Sequence, residues 1–124
     1  MKLLADSSIW VDHIRQPNAL LAQALRRRAI LIHPLVIGEV AMGSIASRSS
    51  LLANLTELPK AVRADDFEVL DFVERHRLFG TGLGLIDAHL LASTLLTPRA
   101  ALWTRDRRLR AAAARLDIAG EPAG

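Results

Sequence analysis

Four carboxylates stand out in this 124-residue chain by where they fall. Asp6 closes a short apolar run at the N-terminus, and Asp106 lies two residues beyond a second such run near the C-terminus. Glu39 is the only formal charge between positions 29 and 47, and Asp87 the only one between 78 and 98. A carboxylate in apolar surroundings carries a desolvation cost that a cationic partner must offset. Each acid alone has an ordinary explanation. Asp106 suits a helix cap and Asp6 a turn after a strand, while Glu39 and Asp87 could each pair with one of fourteen arginines. Together, with no Lys or Arg interleaved near Glu39 or Asp87, they suggest crowded like charges, for which a hard divalent cation is the usual remedy. An all-oxygen donor set favours Mg²⁺ or Mn²⁺ over Zn²⁺. Such ions meet substrate phosphates and activate bound water, so the chemistry implied is hydrolysis at a phosphate.

The elements needed to bring these acids together can be read from periodicity. Residues 2–6 predict a strand, and Ser7 and Ser8 start a helix over 9–15. A helix at 19–28 and a strand at 30–33 follow, then Pro34 opens a helix running to about 46. Further helices are expected at 49–58, 66–78, 84–97 and 107–116. A weak third strand is expected at 61–64, a fourth at 101–104 and a short edge strand at 118–119. Short apolar strands alternating with helices predict an α/β fold with a parallel sheet and helices on both faces. Ligands of such sheets gather beyond the carboxyl ends of the strands, which places Asp6 and Asp106 on one rim and lets Glu39 face it. The predicted helix carrying Asp87 is apolar around nearly its whole circumference, as a buried helix is.

Other constellations compete poorly. Cysteine is absent, which excludes a disulfide scaffold, a thiolate zinc site and a cysteine nucleophile. His13, His33, His76 and His89 show no ligand spacing and are expected as core or surface residues. The segment GTGLG at 80–84 follows no strand and lacks the Lys of a phosphate-binding loop, so it reads as a hinge. The two long uncharged stretches are broken by Pro34 and several glycines and carry a central carboxylate, which argues against a membrane span. With no signal peptide in view, one cytoplasmic domain over residues 1–124 is expected.

Four segments carry a resemblance to a known family. LLADSSIWVD at 3–12, IGEVAMG at 37–43, GLIDAHLLA at 84–92 and LWTRD at 102–106 resemble, in order and spacing, the motifs of PIN-domain nucleases. Within these the chain is most similar to the VapC toxins of type II toxin-antitoxin modules. The resemblance covers essentially the whole chain. It implies a three-layer α/β/α sandwich around a central parallel sheet and Mg²⁺- or Mn²⁺-dependent hydrolysis of single-stranded or structured RNA. It makes Asp6, Glu39, Asp87 and Asp106 the catalytic, metal-binding acids, with Ser7 and Thr104 ordering the site. It also implies a homodimer and a VapB-type antitoxin whose C-terminal segment occludes the site. Many relatives carry a further acid where this chain has Arg108, so any ligand role there is lost.

The basic residues gain a role in that light. Arg105, Arg107, Arg108 and Arg110, flanked by Arg99 and Arg115, form a cluster able to hold an RNA backbone; a solvated helix face is the plainer alternative. The formal net charge of +3 comes from 16 basic and 13 acidic residues. Withdrawing four acids into a metal site leaves nine against 16, an excess of seven that would attract a polyanion. A receiver-type phosphotransfer domain is disfavoured because no Lys follows Lys60. The remaining alternative is a catalytically weak PIN-fold module that binds RNA or an antitoxin.

Overall fold

The computed structural model describes residues 1–123. Three parallel strands lie in the order β2-β1-β3, with β1 at Lys2–Ala5, β2 at Ile30–Leu31 and β3 at Ala100–Trp103. Leu3 and Leu4 of β1 pair with Ile30 and Leu31 on one side and with Ala101 and Leu102 on the other. Successive strand residues point to opposite faces, yet Leu3, Leu4 and Ala5 are all buried. Both faces are therefore covered by helices, as parallel sheets require. The result is the expected PIN-like α/β/α architecture around one hydrophobic core.

Among the described residues there are seven helices: α1 Ser7–Arg15, α2 Ala19–Arg26, α3 Pro34–Ala41, α4 Arg48–Thr56, α5 Asp66–Arg75, α6 Leu85–Leu96 and α7 Arg107–Arg115. The strand expected at 61–64 does not form. The chain touches the sheet edge one residue earlier, through a single parallel bridge between Ile32 and Lys60. It then turns away because the Val62 N–H donates to Thr97 Oγ1 on α6's end rather than to a strand. The element expected at 118–119 is likewise one bridge, Leu102 to Ala119, on the opposite edge. The second predicted strand stops at Leu31, since His33 leaves the ladder to cap α3: its Nδ1 accepts the Leu35 N–H at 3.0 Å. The long helix expected at 34–46 ends at Ala41. Thr104 lies just past β3 rather than inside a strand. Among the described residues no helix is long and apolar enough to cross a membrane.

Candidate active site

Asp6 leaves β1 and caps α1. Its Oδ1 accepts the Ser8 N–H at 3.1 Å, the Ile9 N–H at 3.3 Å and the Ser8 hydroxyl at 2.5 Å. Its Oδ2 accepts the hydroxyl of Thr104, which arrives from the end of β3. Asp6 is only 5% exposed, and burial pushes its carboxyl above the usual carboxylate range even though these donors pull it down. Parallel pairing of β1 with β3 is what delivers Thr104 to Asp6, because it aligns the two strand ends.

Asp106 caps α7, its Oδ1 accepting the Leu109 N–H at 3.0 Å. Its own N–H donates to Thr104 Oγ1 at 3.0 Å. One buried hydroxyl therefore ties the first acid to the fourth. The helix cap expected of Asp106 is present, whereas Asp6, expected as a turn residue ahead of a helix started by Ser7 and Ser8, is itself the cap of α1. A cap is compatible with a site, because it uses a carboxylate where backbone N–H groups and the helix dipole already favour negative charge.

Glu39 lies about a turn and a half into α3 and keeps an exposed side chain. Its carboxyl is raised, first by partial burial, then by the charges of Asp87 and Asp6; the Ser7 hydroxyl acts in the opposite sense. Asp87 is half-buried in the first turn of α6 and accepts the Gly84 N–H at 3.0 Å. That amide and the positive end of α6 meet part of its desolvation cost. The packing of α1 against α3, and of α6 against β3, turns these segments toward the same rim. Asp6, Glu39 and Asp87 thus share one electrostatic neighbourhood, while Asp106 is linked to Asp6 only by its backbone N–H, through the Thr104 hydroxyl.

Among the described residues, none of the four acids forms an ion pair; the pairs present are Arg75 with Asp71, His89 with Asp66 and Arg105 with Asp12. Among the described residues no three carboxylates or imidazoles, the four acids included, stand close enough together to hold a metal ion as they are placed. The chemistry of the donor set fits a hard divalent cation: oxygen only, negatively charged, and with two carboxyls raised by burial.

No family model matches the chain. It is 48% identical over 120 residues to Ribonuclease VapC32 of Mycobacterium tuberculosis, in strains CDC 1551 / Oshkosh and ATCC 25618 / H37Rv, and the alignment covers 94% of this chain and 94% of the relative. The chain belongs to the VapC ribonuclease family. Its fold is similar to the crystal structure of PAE2754 from Pyrobaculum aerophilum, with a TM-score of 0.60 and 19% identity over 90% of this chain and 79% of that one.

For this VapC-family chain, the structure separates roles that the adjacent serines do not advertise. Ser7 attends Glu39, whereas Ser8 contacts Asp6 and stands 3.5 Å from Thr104 Oγ1. Ser8 Oγ also accepts the Arg105 N–H at 3.0 Å, joining the β1–α1 turn to the β3–α7 turn. The resemblance points to Ser7 as the site-ordering hydroxyl, yet Ser8, the second hydroxyl beside Asp6, is the one that holds Asp6. The four arginines of the basic cluster differ in setting. Arg105 pairs with Asp12 at 2.8 Å, and Arg110 donates to the Thr104 carbonyl at 3.0 Å. Arg108 covers Gly82, where a Cβ would stand 2.5 Å from its Nη1, and Arg107 is exposed at the start of α7.

Proposed function

We propose that this protein is a metal-dependent endoribonuclease and the toxin of a type II toxin-antitoxin module. The observation that carries the reading is that Asp6 and Asp87 lie near enough to Glu39 for their charges to raise its carboxyl, with Thr104 linking Asp6 to the backbone of Asp106 and no ion-paired partner for the four acids among the described residues. The 48% identity to a VapC ribonuclease supports it independently. Asp6, Glu39, Asp87 and Asp106 would hold Mg²⁺ or Mn²⁺. When bound, the ion supplies a water made nucleophilic at neutral pH and neutralises charge on the phosphodiester.

The chain's own residues do the positioning. Thr104 and Ser8 fix the Asp6 carboxylate from both sides, so its oxygens cannot rotate away from the rim. Arg107, Arg108 and Arg110 sit in the first turns of α7, the helix end where cations are least favourable. That placement costs helix stability and suits a surface that receives RNA phosphates. A VapB-type antitoxin follows from the family name, and exposed Phe67, Leu70, Phe79 and Leu85 offer apolar surface for that partner or for a second copy of the chain.

The test is cleavage of a labelled single-stranded RNA. Cleavage should require Mg²⁺ or Mn²⁺, and Asp87→Asn should abolish it while leaving the circular dichroism spectrum unchanged. Full activity in EDTA, or undiminished activity of Asp87→Asn, overturns the proposal.

A further inference from the structure

Two hollows meet at Arg105, and together they form a groove leading away from the acidic rim. The inner one, about 380 Å³, lies between Ser7, Ser8 and Asp106; the outer one, about 500 Å³, lies along the end of α1 beside Arg15 and Asn18. Asp12 and Arg105 line both, and their 2.8 Å ion pair is the ridge between them. The backbone of Arg105 is registered to the acids, because its N–H donates to Ser8 Oγ and Ser8 in turn donates to Asp6. Its side chain is the more open of the pair to solvent, 59% exposed against 40% for Asp12.

Resting on the ribonuclease reading above, we propose that Arg105 is the clamp for an RNA backbone phosphate next to the scissile bond, and that Asp12 is an internal competitor holding it in reserve. An exposed pair of this kind is weakly held. A phosphodiester offers two oxygens to the guanidinium fork and displaces a single weakly held carboxylate. Arg15 lies three residues beyond Asp12 on α1, on the same helix face, and takes over Asp12 when Arg105 turns to the phosphate. The neighbouring arginines are less suited to this exchange: Arg110 is turned to the Thr104 carbonyl and Arg108 lies over Gly82.

The exchange gives two variants opposite signs, which a merely structural ion pair cannot do. In steady-state cleavage of a single-stranded RNA with Mg²⁺, Asp12→Asn should lower KM about two- to fivefold, the equivalent of releasing a pair of this strength. Arg105→Gln should raise KM and make the fall of log(kcat/KM) with log[KCl] shallower by about 1, the loss of one phosphate contact. Melting temperatures of both should stay near that of the unaltered protein. The double variant supplies the control for bulk charge: with Arg105 already replaced, Asp12→Asn should no longer lower KM. If it still does, or if both single variants shift KM in the same direction or not at all while the unaltered protein cleaves, the clamp is overturned and the ribonuclease reading stands. If the unaltered protein does not cleave RNA, the ribonuclease reading falls and the clamp falls with it.

Discussion

His33 should make this protein acid-sensitive in a defined pH window. The side chain is fully buried, and its Nδ1 must stay unprotonated to accept the Leu35 N–H at the start of α3. Burial, the Arg63 charge and the neighbouring His89 push its pKa from 6.5 down to about 4. A histidine with a depressed folded pKa favours the native state above the unfolded value, and that advantage is lost as pH falls from 6.5 toward 4. With the unfolded chain binding its proton near 6.5 and the native protein only near 4, linkage gives a loss of about 2 kcal/mol by pH 5 and about 3 kcal/mol by pH 4. Asp6 and Glu39 act in the opposite sense, since raised carboxyls favour the native state as they protonate. A comparison that cancels them is therefore needed. Asn is a good N-cap and does not titrate, so His33→Asn should keep the α3 cap, incur a pH-independent cavity cost and remove the pH-dependent part. Urea unfolding of both proteins in EDTA, from pH 7.5 down to 4, should show the stability gap closing by about 3 kcal/mol. Parallel stability curves would refute the reasoning.

Two further outcomes follow from the packing. Thr104→Val removes a hydroxyl that serves both Asp6 and Asp106, one bond to a charged group and one to a backbone N–H, and should cost about 2–4 kcal/mol in urea unfolding near neutral pH. Thr104→Ser should restore most of that stability along with RNA cleavage. Leu91 is fully buried on α6 beneath the site, so Leu91→Ala should cost about 2–5 kcal/mol by the same measurement.

The positions of the acids relative to strands and helices were legible in the sequence because they depend on local signals. Asp6 after an apolar run, Asp106 ahead of an Arg/Ala helix and Asp87 at the start of an apolar helix are arrangements that periodicity and capping preferences reveal. The strand expected at 61–64 does not form, for a reason that lies outside the local sequence. Its residues have strand-like hydrophobicity, but Thr97, 35 residues away, takes the Val62 N–H that a ladder would have used. His33 was treated as an ordinary core or surface residue, since no local pattern announces an imidazole acting as a helix cap.

By itself the sequence determined most element types and the parallel α/β class, because hydrophobic period and caps act over a few residues. Tertiary structure alone decided which hydroxyl serves which acid, and that Thr104 reaches Asp6 across 98 positions of chain while holding the Asp106 N–H. It also decided that Arg105 faces Asp12 while Arg110 turns to a backbone carbonyl. These are choices among chemically equivalent side chains, and only the register of β1 against β3 and the docking of α1 and α7 on that sheet distinguish them.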